Sequence, residues 1–247
     1  MSAFSHIADT LAAVRDRLDR AARAAGRDPA SIRLVAVSKT FPPEAIRAAA
    51  ACGQVDFGEN RVQEALPKIE AVADLPLVWH LVGHLQSNKV KRAVSGFAWI
   101  QSVDSLSLLR QIDAAAAARG VSPKLLIQVD LAGEATKFGL PEPEVGEVLR
   151  AAGDLQAARV VGLMLLPPYA ENPEDVRPWF RRLRQLRDRL AAGGVPPDRL
   201  AELSMGMSHD FHVAVEEGAT IVRVGTAIFG ERPAPGRADR PATETAT

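Results

Sequence analysis

The chain has 247 residues, 47% of them hydrophobic and 24% charged, which is enough for one large core and ordinary for a soluble globular protein. Its 30 basic residues balance 30 acidic ones, so it lacks the basic footprint of a nucleic-acid binder. The lone Cys52 rules out an internal disulfide, and the charged N-terminal stretch and the absence of a bilayer-length apolar run lead us to expect a cytoplasmic protein.

Residues 4–25 place Ile7, Leu11, Val14, Leu18, Ala21 and Ala22 at helical spacing, with charges opposite, and predict an amphipathic helix ending near Gly26. Short apolar runs then alternate with helical patterns. The runs are Arg33–Ser38, Val55–Phe57, Val78–Val82, Phe97–Ser102, Lys124–Val129, Val160–Leu165, Glu202–Met205 and Ile221–Val224. The helical stretches include Glu44–Cys52, Asn60–Ala71, Leu106–Ala118, Glu142–Ala152, Pro173–Leu190 and Phe211–Glu217. Alternation of this kind means βαβ units and a parallel sheet. Eight strands in this length favour an α/β fold of one closed (β/α)8 TIM barrel with an extra N-terminal helix, over an open sheet. The barrel domain is expected over residues 1–230. Residues 231–247, rich in Pro, Ala and Thr, read as a disordered tail.

Active groups of such barrels sit at the C-terminal ends of strands. Lys39 follows the first strand directly, where partial loss of solvent would favour a free amine able to form a Schiff base. The bland alternative is a lysine that snorkels to water. Gly225 and Thr226 open a short helix, Thr226–Phe229, after the last strand, a frequent phosphate position in this fold. Ser204 and Ser208 could add donors there, and Ser208 is also expected to cap a helix starting at His209. An amine and a phosphate cup on one rim suggest a phosphorylated aldehyde. Arg223 shares a strand face with Gly225 and is expected to point inward, either toward a ring nitrogen of the ligand or into a buried ion pair. Asn60 could face the pocket, cap the following helix, or do both.

Other chemistries fit poorly. His80 and His84 flank Gly83 on a strand, and His209 and His212 lack an HExxH pattern, so no metal site is expected. His80 could instead line the pocket. No glycine-rich nucleotide loop and no GxSxG elbow is present.

Seven segments, AVSKT (36–40), DFGENRVQEA (56–65), WHLVGHLQSNK (79–89), GEATKFG (133–139), GLM (162–164), LSMGMSHD (203–210) and VRVGTAIFGER (222–232), run in order along nearly the whole chain. Together they resemble the pyridoxal phosphate homeostasis protein family, related to the barrel domain of alanine racemase. The resemblance implies pyridoxal 5'-phosphate as cofactor. It implies Lys39 as the Schiff-base lysine, Ser204, Gly225 and Thr226 around the phosphate, and Arg223 at the pyridine nitrogen. It carries over Asn60 and His80 as pocket residues.

A racemase also needs a second acid/base, a tyrosine from a C-terminal β-domain in alanine racemase. Here a 17-residue tail follows the barrel and the one tyrosine, Tyr169, lies in the loop after the sixth strand. Leu166 stands near the place of a ring-packing histidine. The expected role is therefore a cofactor carrier without strong turnover, a monomer that buffers the cofactor or delivers it to apo-enzymes. The alternative is an amino-acid racemase using Lys39 with Tyr169, Lys137 or His80. Lys137 is expected to serve as a phosphate-neutralising or salt-bridging charge, with a transit site for the cofactor as the alternative.

Overall fold

The computed structural model describes residues 4–133 and 138–231; Lys137 and residues 232–247 lie outside the described residues. After helix α1 (Ile7–Ala24) the chain runs β1 (Arg33–Val37), α2 (Pro43–Ala51), β2 (Asp56–Glu59), α3 (Val62–Ala71), β3 (Val78–Leu81), α4 (Val90–Gly96) and β4 (Trp99–Val103). It continues with α5 (Leu106–Ala117), β5 (Lys124–Asp130), β6 (Leu140–Pro141), α6 (Glu142–Ala151), β7 (Arg159–Leu165) and α7 (Arg177–Ala192). It ends with β8 (Glu202–Ser204), α8 (Phe211–Glu216), β9 (Ile221–Val224) and α9 (Thr226–Phe229).

All the strand pairings are parallel, and β9 pairs back onto β1 in the register Val35↔Arg223, so eight strands close a (β/α)8 barrel. The short β6 is extra and pairs only with the end of β5. Each expected strand forms within two residues of its sequence boundaries. The largest shifts are at β2, which takes in Gly58 and Glu59 and leaves Val55 exposed, and at β4, which starts at Trp99.

Alternation along the strands divides the core in two. Outward residues such as Ala36, Phe57, Leu81, Leu203, Val222 and Val224 pack under the helices as the main hydrophobic core. Inward residues Val35, Trp99, Leu126, Met164 and Ile221 form a small separate cluster inside the barrel. Polar residues share the interior with them, and His80, Gln101, Ser204 and Arg223 are all buried there. Helix α1 buries the six apolar residues that its spacing singled out. It is tied to α9 by Thr10, whose hydroxyl donates to the Ile228 carbonyl at 2.6 Å.

Two capping expectations are corrected. Arg61, not Asn60, occupies the N-cap of α3, and no side chain caps that end. Helix α8 begins at Phe211, as the helical stretch had it, and not at His209; Asp210 is at its N-cap, which leaves Ser208 outside it.

Candidate functional site

A cleft of ≈ 620 Å³ opens at the C-terminal ends of the strands. Lys39, Asn60, Arg223, Gly225 and Thr226 line it, so one opening gathers five of the seven residues singled out from the sequence. Its walls are apolar: Val37, Phe41, Val82, Leu166 and Pro167. Phe138, Tyr169 and Met207 stand exposed on the rim. His84 stacks on Phe138 with ring centroids 3.6 Å apart, and Tyr169 lies 6.2 Å from the His209 ring. A neighbouring cavity of ≈ 550 Å³ shares His84 with the cleft but contains neither Lys39 nor Arg223.

Lys39 sits half-buried in the turn after β1. Two features hold that turn. Ser38 is fully buried, its hydroxyl donates to Glu59 at 2.8 Å, and its carbonyl accepts from Lys68 at 3.1 Å. Thr40 adopts φ 70°, a left-handed conformation costly for a β-branched residue and kept only where its surroundings enforce it. Burial pushes the Glu59 carboxyl above the usual range, although hydrogen bonds from Lys68 and Ser38 oppose the shift.

Asn60 reaches the cleft because β2 and β3 end side by side there. A Cβ on Gly83 would fall 2.3 Å from the Asn60 carbonyl oxygen, so only glycine lets the two strand ends approach.

At the last turn of the barrel, two backbone donors converge. The N–H groups of Gly225 and Ala227 both donate to one oxygen, the Ser208 hydroxyl, at 3.1 and 3.3 Å. Ser208 thus faces the cleft instead of capping a helix. The left-handed Gly206 turn (φ 91°) carries the chain from β8 round to it.

Arg223 is buried beside this turn. Its guanidinium donates to the Ser204 hydroxyl at 2.6 Å and to the Leu165 carbonyl at 2.9 Å. Among the described residues no carboxylate lies at ion-pair distance, so its contacts are neutral rather than the ion pair considered from sequence. Burial pushes its pKa down to about 10, with Asp210 opposing, and the group keeps its charge at neutral pH.

Ser204 and His80 do not line the cleft. Ser204 is enclosed in the barrel, its hydroxyl donating to Gln101 at 2.6 Å. His80 is fully buried, bonded to Asp56 at 2.9 Å and Gln101 at 3.0 Å, and stacked on Trp99. Sequence reasoning missed Asp56 and Gln101 altogether. Strand parity could have found Gln101, which is two residues beyond the inward Trp99. Among the described residues no group of three His, Cys, Asp or Glu side chains could hold a metal, and no helix is long and apolar enough to cross a membrane.

The alanine racemase N-terminal domain family matches residues 10–233. A pyridoxal phosphate homeostasis protein of Aquifex aeolicus (strain VF5) is 47% identical over 224 residues, covering 91% of this chain and 97% of that protein. The protein of the same name from Escherichia coli (strain K12) is 39% identical over 229 residues, covering 92% and 97%. PipY of Synechococcus elongatus PCC7942 superposes with a TM-score of 0.81 in its PLP-bound structure, at 44% identity over 91% of this chain and all of that one. Alanine racemase of Clostridium difficile 630 has a TM-score of 0.70 at 15% identity, covering 92% of this chain and 58% of that chain, a likeness of fold alone. With the full-length relatives and the family match in agreement, this chain belongs to the pyridoxal phosphate homeostasis protein family, built on the fold of the alanine racemase N-terminal domain.

Proposed function

We propose that this protein binds pyridoxal 5'-phosphate reversibly in the cleft and serves intracellular homeostasis of that cofactor, by buffering or delivery, without strong catalytic turnover. One observation carries the reading: a single opening brings the Lys39 amine together with the Arg223 guanidinium and the cradle of Ser208, Gly225 and Thr226. The relatives that share the name, and PipY, whose structure is described with PLP bound, support it.

The residues present fit the group. The two N–H groups that converge on the Ser208 oxygen form a cradle sized for one oxygen acceptor, as a phosphate oxygen is. A Cβ on Gly225 would stand 3.2 Å from the Val37 carbonyl and crowd the approach of this turn to β1. Lys39 would hold the aldehyde carbon as a Schiff base, and Ser208, Gly225 and Thr226 the phosphate. Arg223 would donate to the pyridine nitrogen, and Asn60 with the apolar walls would flank the ring. When bound, the group supplies an electrophilic aldehyde and a conjugated ring that can delocalise charge. Arg223 can only donate, so it leaves the ring nitrogen without a proton of its own, which favours holding the ring over activating it.

Two sequence-derived candidates act from behind the cleft in this reading: Ser204 and His80 support Arg223. The recipients would be apo-enzymes that use the same cofactor. A cytoplasmic setting is supported by the chain's single Cys52.

The test is the visible absorbance of protein incubated with pyridoxal 5'-phosphate. Wild type should show the band of lysine-bound cofactor, and Lys39→Ala should lack it. Transfer to an apo-enzyme no faster than release into solution would count against delivery. The racemase reading draws on Tyr169, which lines the same cleft but is 81% exposed. Steady amino-acid racemisation, lost in Tyr169→Phe while the absorbance band persists, would favour it.

A further inference from the structure

We propose that Asp56, His80, Gln101 and Ser204 are positioning residues for Arg223, joined in a one-way hydrogen-bond chain that crosses the barrel interior from its floor to the cleft. The inference rests on the cleft holding pyridoxal 5'-phosphate against Arg223.

The four links are continuous. Arg223 donates to Ser204 at 2.6 Å, Ser204 donates to Gln101 Oε1 at 2.6 Å, Gln101 Nε2 donates to His80 Nδ1 at 3.0 Å, and His80 Nε2 donates to Asp56 at 2.9 Å. The residues come from β9, β8, β4, β3 and β2, so the chain spans the barrel from wall to wall. Its far end meets a cavity: Asp56 lines a space of ≈ 360 Å³ at the N-terminal ends of the strands, with Arg33, Glu202 and Thr220.

Only one arrangement of protons satisfies every link. An arginine can only donate and a carboxylate can only accept. Arg223 therefore takes a lone pair of Ser204, whose single O–H must go to the Gln101 carbonyl. The amide then turns its N–H toward His80, which must receive it on a bare Nδ1 and carry its proton on Nε2, toward Asp56. Working from Asp56 upward gives the same directions. If His80 were doubly protonated, Gln101 would have to flip, and Ser204 would face two donors with no acceptor for its own proton.

The electrostatics agree with this geometry. Burial holds the His80 pKa below its usual value against the opposing influence of Asp56, so the ring is neutral at neutral pH. The charged groups facing His80 are Asp56, Arg33 and Glu202, and Lys124 lies over the Trp99 ring on which His80 stacks. Burial works against the Asp56 carboxylate, but the His80 hydrogen bond and the Arg33 guanidinium pull it below the ordinary range. A carboxylate thus anchors one end and a buried guanidinium the other. Aligned bonds in a low-dielectric interior polarise one another. The chain fixes the plane of Arg223 and sets how much of its positive charge is offered to a ring nitrogen. Bonds that merely satisfied buried polar groups would hold the fold without changing what the ligand experiences.

The full chain is loaded with pyridoxal 5'-phosphate, and three quantities are read: the position of the visible band, the pH midpoint of its titration, and the rate of cofactor release. The variants are Gln101→Met, which breaks the chain at its centre with little change of volume, and Asp56→Asn, which removes only the terminal charge. Gln101→Met should shift the pH midpoint by roughly half a unit and speed release roughly tenfold. Asp56→Asn should move both in the same direction by less. Wild-type band, midpoint and release rate in both folded variants would overturn the inference. If Gln101→Met fails to fold, Asp56→Asn decides. Absence of any band in wild type would instead remove the cofactor reading itself.

Discussion

Lys68 and Glu59 form an ion pair at 2.8 Å directly behind the residue that precedes Lys39, with the Glu59 side chain fully buried. One Glu59 oxygen carries the pair and the Ser38 bond, while the other has no hydrogen-bond partner among the described residues. A buried pair broken from one side leaves an uncompensated charge and costs about 3–5 kcal/mol. Lys68→Met should therefore lower stability by about that much and loosen the Lys39 turn. The double variant Glu59→Gln/Lys68→Met should recover most of the loss. Urea denaturation of the set checks both, and equal stability of single and double variants would contradict the pairing.

The cradle separates two serines that the sequence left side by side. Ser208 bonds to the N–H groups of Gly225 and Ala227, whereas Ser204 is enclosed below with Gln101 and Arg223. Ser208→Ala should weaken binding of pyridoxal 5'-phosphate by about 10–100-fold, the loss of one hydrogen bond to a charged group. Binding of pyridoxal, which lacks the phosphate, should hardly change. Ser204→Ala should leave the preference for the phosphorylated form intact. Parallel titrations with the two ligands read the ratio directly.

Gly83 answers to sterics alone. A methyl group there would press on the Asn60 backbone, which belongs to a strand end and cannot swing away. Gly83→Ala should destabilise the fold by about 1–3 kcal/mol and displace Asn60 from the cleft. The check is a melting curve together with cofactor affinity. Unchanged values in both would show that the strand ends are free to part.

Acid sensitivity should trace to Glu217. Burial alone would raise its carboxyl, but hydrogen bonds from Arg181 and Arg177 and the charges of Arg181 and Arg184 bring it below its ordinary value. With the folded value lower than the unfolded one, folding is favoured while the group is ionised. The contribution is complete above the unfolded carboxylate range and fades as pH falls through the folded value. Glu217→Gln should be less stable than wild type near neutrality and should show a flatter loss of melting temperature on acidification. Parallel curves for the two proteins would place the acid response elsewhere.

The barrel was legible because its strands are continuous apolar runs punctuated by helical patterns, and closure followed from their number. Helix α4 escaped because its seven residues fall between a turn and a strand and make fewer than two clear turns. Strand β6 escaped because two residues carry no periodicity. Lys39, Arg223, Gly225 and Thr226 could be read as one rim because each follows or ends a strand. Ser204 was misplaced because distance along the chain says nothing of depth. It ends β8 on the inward face, while the Gly206 turn lifts Ser208 four residues later to the rim. His80 had the right strand but points to the floor, since its partner Asp56 begins the neighbouring strand. Pairings between distant residues, such as Gln101 with Ser204, exist only once the barrel closes.

Strand β6 has a consequence for how this molecule meets others. The ring of eight strands leaves no open row of backbone donors and acceptors, and β6 is the one segment among the described residues laid outside it. It is two residues long, and its second is Pro141, which has no N–H to offer. A stray strand from another chain thus finds no template on which to zip, although the cleft a short distance away stays open to solvent. A protein can keep a pocket accessible for exchange and still be a poor seed for sheet-mediated clumping, and here a single proline guards that boundary.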